Sequence, residues 1–160
     1  MYSVASRTGV NISPRIVKIL SDHPNITGIK EASGSISQIC EIAACVSDTF
    51  SLYSGNDDQT VPVLSLGGLG CISTVSNIIP ARFSAMIHQY LNGQCKAAGK
   101  EQVALKPLID AIFMEVNPVP VKAALSMMGM CSAEYRLPMC PPTNKTQYLL
   151  YDTLKEFGLV

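Results

Sequence analysis

From the N-terminus to residue 93, short apolar runs alternate with longer segments whose apolar residues recur at helical spacing. Ser13-Pro14 joins an N-cap residue to proline at the first helical position, and Ile16, Val17, Ile19 and Leu20 give the stripe that follows. Pro24-Asn25 ends that helix. Ile26-Thr27-Gly28-Ile29 reads as a strand covered on both sides, with Lys30-Glu31-Ala32-Ser33-Gly34 as a polar loop after it. Ser35-Ile36-Ser37-Gln38 has the spacing of a capping box and opens a helix with Ile39, Ile42, Ala43 and Val46 on one face. The pattern then predicts a strand over 50–53, its loop over 54–58, a short helix over 60–66 stopping at Gly67-Gly68, and a strand over 70–74. A helix over 80–92 ends at Gly93, where a C-cap glycine belongs.

Beyond Gly93 the strand signals stop. Segments 94–113, 119–130 and 143–157 carry helical patterning, joined through Asn117-Pro118-Val119-Pro120 and Leu137-Pro138-Met139-Cys140-Pro141-Pro142. The βα series predicts an α/β domain with a parallel sheet over 1–93, followed by a helical domain over 94–160. Tyr2 sits so near the start that the strand leading into the first loop is expected to be missing or reduced to a stub.

Composition narrows the classes. Hydrophobic residues make up 48% of the 160, charged residues 15%, and mean hydropathy is +0.25. That is enough apolar surface for a core and speaks against intrinsic disorder. Twelve Lys and Arg balance twelve Asp and Glu, so no basic field is available for nucleic acid or anionic lipid. The low charge content predicts surface hidden by a partner. No signal peptide or apolar run of membrane-spanning length is visible, so a cytoplasmic protein is expected. Cys40, Cys45, Cys71, Cys95, Cys131 and Cys140 form no C-x-x-C pair and the two histidines lie far apart. This predicts reduced, buried thiols and no metal site.

Functional groups of a (β/α) barrel sit on loops at the C-terminal ends of its strands. Four segments meet that description: 2–9, Lys30-Glu31, Gly55-Asn56-Asp57 and Ile72-Ser73. Lys30 follows four residues that the pattern buries, where an ammonium is costly unless paired or deprotonated. It reads either as a surface lysine at a strand end or as a desolvated amine that forms a Schiff base with a carbonyl. An ordinary lysine, pKa ~10.4, is neutral in about one molecule in 2,500 at pH 7; lowering that by three units costs roughly 4 kcal/mol. Tyr2 by itself reads as a packed tyrosine. Arg7 is either a carboxylate clamp or a solvated arginine. Gly9 and Gly55 either admit a ligand to the backbone or serve as turn glycines. Asp57-Asp58 reads as an N-cap pair, and Gly67-Gly68-Leu69-Gly70, lacking Lys-Ser/Thr, as a tight turn.

Taken together, Tyr2-Ser3-Val4-Ala5-Ser6-Arg7-Thr8-Gly9, Gly28-Ile29-Lys30-Glu31-Ala32-Ser33-Gly34, Ser54-Gly55-Asn56-Asp57, Gly67-Gly68-Leu69-Gly70-Cys71-Ile72-Ser73, Asn117-Pro118-Val119-Pro120-Val121-Lys122 and Leu137-Pro138 occur in order. Over essentially the whole chain this resembles the C-terminal half of the dihydrodipicolinate synthase (4-hydroxy-tetrahydrodipicolinate synthase) family. The resemblance implies the C-terminal part of a (β/α)8 TIM barrel followed by a C-terminal helical subdomain. It also implies a class I aldolase-like lyase of lysine (diaminopimelate) biosynthesis, joining pyruvate to L-aspartate semialdehyde without a cofactor or metal.

Position by position, it makes Lys30 the Schiff-base lysine and Tyr2 the proton donor and acceptor. Arg7 would hold the carboxylate of the aldehyde substrate near Thr8 and Gly9, and Gly55 and Ile72 would line the pyruvate pocket. The family's usual Tyr-Asn-Val-Pro reads Tyr-Ser-Val-Ala here, a loop variation. The segment with the relay threonine lies in the half that the chain does not match. The chain is therefore expected to be N-terminally truncated, inactive or poorly folded alone, and in need of that half or of a homo-oligomer, commonly a tetramer in the family. Two other readings remain: an N-acetylneuraminate lyase or 2-keto-3-deoxy-sugar-acid aldolase, which usually lack Ser-Arg-Thr-Gly, and a non-catalytic half-barrel.

Overall fold

Residues 1–160 are described by a computed structural model, and the βα alternation read from the sequence is present in it. Strand β1 (Tyr2–Ser3) is the expected stub; it runs through a single turn, α1 (Ala5–Thr8), into α2 (Pro14–Ser21). Then come β2 (Gly28–Glu31), α3 (Ile36–Ala43), β3 (Ser51–Ser54), α4 (Thr60–Ser65) and β4 (Gly70–Cys71). The four strands are parallel and adjacent in chain order. Their register aligns Tyr2, Lys30, Tyr53 and Gly70 in one row and Ser3, Glu31, Ser54 and Cys71 in the next.

Successive residues of a strand face opposite sides, so the two rows look in opposite directions. On the side of Ile29 and Leu52, α2, α3 and α4 supply Val17, Ile39, Ile42 and Val63, which with Phe50 form a core free of solvent. The other side carries Tyr2, Lys30 and Tyr53 and remains partly open. A cavity of about 1040 Å³ lies towards the N-terminal ends of the strands, lined mostly by the segments that precede β2 and β3, with Lys30, Tyr53 and Ile72 also on its wall.

Strand β2 ends two residues later than the pattern predicts. Lys30 and Glu31 belong to the ladder, because Lys30 N–H donates to Met1 O (3.0 Å), Ala32 N–H to Ser3 O (2.9 Å) and Gly55 N–H to Glu31 O (2.7 Å). The charge that made Glu31 look like a loop residue is buried on the helix side and bonded there. Strand β4 is shorter than expected, and the chain bends into a 3-10 turn over Val75–Asn77.

Four helices follow: α5 (Pro80–Leu91), α6 (Cys95–Ile112), α7 (Val119–Met127) and α8 (Asn144–Glu156). The chain forms two compact units, and their division does not fall at residue 93. One unit is Met1–Ser73 with Ala85–Gln102; the other is Thr74–Ser84 with Val103–Val160. The first turns of α6 go with the strands, where the buried Gln102 donates to Asp57 O (3.0 Å) and accepts from Val61 N–H (3.1 Å). In the second unit Leu105, Leu108, Ile112, Ala124, Leu150 and Leu154 are solvent-free, and the Arg82 guanidinium lies 5.3 Å from the Phe157 ring centre.

All six cysteines are free, but the expectation that they are buried holds only for Cys45. Cys71 is partly buried and Cys40, Cys95, Cys131 and Cys140 are exposed, the first two of these four in helices and the last two in loops. No helix is long and apolar enough to cross a membrane.

Candidate active site

Lys30 projects from the middle of the sheet onto its open face, and two neighbours define its surroundings. The first is Gly55, at the end of β3. A Cβ there would fall 2.6 Å from Ala32 Cβ and 3.1 Å from both Glu31 O and Lys30 Cε. Glycine is thus required because the lysine stem and its loop occupy the space. The second is Tyr2, level with Lys30 in the register, whose ring centre lies 4.1 Å from Lys30 Nζ, within cation–π range. Ile72 continues past β4, donating its N–H to Ser54 O (2.9 Å), and lines the same cavity as Lys30. Tyr2, Lys30 and Gly55 are therefore brought together, while Ile72 is joined to them through the backbone of Ser54 and shares with Lys30 a cavity that reaches neither Tyr2 nor Gly55.

Arg7 and Thr8 are the last residues of α1, at the C-terminal end of β1, and Gly9 caps it. Arg7 N–H and Thr8 N–H donate to Val4 O, at 2.9 and 3.1 Å, and Gly9 N–H donates to Ala5 O at 2.9 Å. Gly9 has φ +70° with nothing near its Cβ position, so it is a helix-ending glycine chosen for its backbone conformation. The Thr8 hydroxyl donates to Val10 O (2.9 Å), closing the turn. Arg7 is exposed.

Behind the strands lies a polar layer that sequence reasoning missed. Glu31 is solvent-free; its Oε1 accepts from Ser33 N–H (2.7 Å) and Gln38 Nε2 (3.4 Å), and its buried Oε2 meets no protein donor. Gln38 was expected to complete a capping box. Only half of that box forms: Ser35 Oγ accepts from Gln38 N–H (3.3 Å), while the Gln38 side chain turns to Asn11 and Glu31. The period-two placement of Glu31 beside Ile29 was the available signal for its burial.

Asp57 and Asp58 do not cap α4. They lie inside a 3-10 turn, Asp57–Gln59, and Gln59 holds the N-cap position. Asp57 is buried, and Cys71 Sγ lies 3.9 Å from its Oδ1. Burial first, and the Asp57 carboxylate second, push the Cys71 thiol up to about 12; the Thr60 hydroxyl, the Lys30 charge and the Ser54 hydroxyl pull the other way more weakly. No three His, Cys, Asp or Glu side chains converge as metal ligands would.

The model of the dihydrodipicolinate synthetase family matches residues 1–157. The 4-hydroxy-tetrahydrodipicolinate synthase of Caldicellulosiruptor saccharolyticus is 48% identical over 159 residues, which are 99% of this chain and 54% of that protein. A Thermoanaerobacter sp. protein of the same name is 45% identical, covering 100% of this chain and 54% of its own length. Among solved structures, dihydrodipicolinate synthase from Thermotoga maritima superposes with a TM-score of 0.96 at 41% identity, over 99% of this chain and 55% of that one. The Aquifex aeolicus enzyme gives 0.94 at 35% identity, over 99% and 54%. The chain spans about half the length of the curated relatives it matches. With a parallel α/β sheet shared with these structures and a family match over nearly every residue, the chain belongs to the dihydrodipicolinate synthetase family.

Proposed function

We propose that this chain is the C-terminal part of a (β/α)8 barrel with its helical subdomain, and that it carries the Schiff-base half of a 4-hydroxy-tetrahydrodipicolinate synthase site. The observation that supports this most directly is the ammonium of Lys30 set 4.1 Å from the Tyr2 ring on the open sheet face, with Gly55 leaving room for its stem.

In this reading the Lys30 nitrogen attacks the keto carbon of pyruvate, and water leaves as the protonated imine forms. Loss of a methyl proton gives the enamine, whose carbon adds to the aldehyde of L-aspartate semialdehyde. The Tyr2 phenol relays protons between the lysine nitrogen and the departing oxygen. Arg7, beside Thr8 and Gly9, pairs its two parallel donors with the carboxylate of the aldehyde substrate. Gly55 and Ile72 border the pyruvate. The setting is a cytoplasmic homo-oligomer. Turnover by this chain alone is not expected, because a single sheet of four strands leaves the face that carries Tyr2 and Lys30 partly open.

Borohydride reduction in the presence of pyruvate tests this on two samples. One is the chain alone; the other is the chain mixed with the part of the Caldicellulosiruptor saccharolyticus relative that it does not match. A reduced pyruvate adduct on Lys30 in the mixture, absent in Lys30→Arg, is expected. No adduct in either sample overturns the role of Lys30, whereas full labelling and turnover by the chain alone overturns the dependence on a complementary half.

A further inference from the structure

The polar layer behind the strands joins two parts of the site that the backbone alone leaves loosely related. Asn11 follows the turn that carries Arg7, Thr8 and Gly9. Its Nδ2 donates to Gln38 Oε1 (2.7 Å), and Gln38 Nε2 donates back to Asn11 Oδ1 (3.1 Å), a reciprocal amide pair spanning 27 residues of sequence. Asn11 Oδ1 also accepts from Ser3 Oγ (3.4 Å), and Ser3 Oγ accepts from Ile12 N–H (3.3 Å). At the other end Gln38 Nε2 reaches Oε1 of Glu31, the residue next to Lys30.

Glu31 is solvent-free and Gln38 is half-buried at the start of α3. A buried carboxylate is costly unless bonded, so Glu31 holds Gln38 in place from one side while Asn11 takes up its remaining amide capacity. The connection therefore runs from the Arg7 turn, through Asn11 and Gln38, to the strand position beside Lys30.

We propose that the Asn11–Gln38 amide pair, seated on Glu31, is a positioning latch that holds the Arg7 turn at a fixed place relative to Lys30, and so sets binding of the carboxylate-bearing aldehyde rather than formation of the pyruvate imine. This assignment of substrate rests on the function proposed above; the latch itself rests on the hydrogen bonds. Asn11 and Gln38 are positioning residues, acting through the Arg7 turn.

Two measurements separate these claims. Hydrogen exchange on the 160-residue chain reads the latch. Asn11→Ala and Gln38→Ala are expected to speed exchange of the amides of residues 7–9 about tenfold, the scale of one net hydrogen bond, with β3 unchanged. The exchanged pair Asn11→Gln with Gln38→Asn, which keeps the combined length, restores protection. No change at residues 7–9, equal loosening of β3, or failure of the exchanged pair to restore protection overturns the latch. Borohydride trapping, with the complementary part added, reads its purpose. In Asn11→Ala, labelling of Lys30 by pyruvate stays within about twofold of the original, while the concentration of L-aspartate semialdehyde that halves the trapped imine rises about tenfold. An equal loss of both, or no rise, overturns the assignment to the aldehyde side. Absence of pyruvate labelling in the unsubstituted protein overturns the Schiff-base reading instead, and the exchange result still decides the latch.

Discussion

Alanine at position 55 would bring a methyl carbon to 2.6 Å from Ala32 Cβ and 3.1 Å from the Lys30 stem. Overpacking of this kind costs about 1–3 kcal/mol. Gly55→Ala is therefore expected to lower the urea midpoint and to slow pyruvate trapping on Lys30 together; unchanged values of both would show that the loop yields freely. Cys71 offers a second check. Its folded thiol titrates near 12 and the unfolded one near 9.0, so the stability gained by keeping it protonated is complete below 9.0 and is lost as pH rises from there towards 12. One such group tilts stability by about 1.4 kcal/mol per pH unit in that window. Cys71→Ala should flatten the alkaline fall, and iodoacetamide in mild base should label Cys40, Cys95, Cys131 and Cys140 but spare Cys71. Lys30 stood out in the sequence because a lysine after a buried run is chemically conspicuous, whereas Tyr2 stood out only through the family resemblance. The need for glycine at 55 was not, because it arises only where the end of β3 meets the neighbouring strand.

Helix α8 starts at Thr143, whose Oγ1 accepts from Thr146 N–H (3.4 Å) and donates to Glu115 Oε1 (2.8 Å), while Thr143 N–H donates to the same oxygen (3.0 Å). Thr143→Ala should cost about 1 kcal/mol, the usual scale for a lost N-cap. Bonds from the Thr146 hydroxyl, and then from the Thr143 backbone and hydroxyl, hold the Glu115 carboxyl below its ordinary value. Its contribution is present above that ordinary value and lost as pH falls through the folded one. Glu115→Gln should therefore be less stable near neutrality and less sensitive to acid; equal acid limbs in urea unfolding would remove Glu115 from the account. Boundaries of this helix and of α2, α3 and α5 were readable from caps and stripes. The end of β2 was not, since Lys30 and Glu31 look like loop residues until the ladder and Ser33 N–H satisfy them. Gln38 was misread for a related reason: S-x-x-Q specifies a local cap, and a partner 27 residues away, Asn11, leaves no local trace.

Strands β1 and β4 each pair on one side only, and Tyr2 and Ile72 on the open face are 47% and 52% exposed. Unpaired edges beside exposed apolar groups promote association. The chain alone is expected to show a weight-average mass that rises with concentration in light scattering. A lysine at Leu69, half exposed just ahead of β4, should lessen that rise; a monomer at every concentration would contradict it. The low charge content was the composition's hint of hidden surface, whereas the interleaved boundary of the two units had no counterpart in the pattern, since Gln102 looks like any polar position on a helix. That division also limits how the polypeptide can be dissected. Because 74–84 and 85–102 belong to opposite units, no single cut yields two intact pieces. Stopping at residue 93 would take Gln102 from the strands while stranding 74–84 without the helices it packs with, so deletion mapping of this protein should report loss at every breakpoint between 74 and 102.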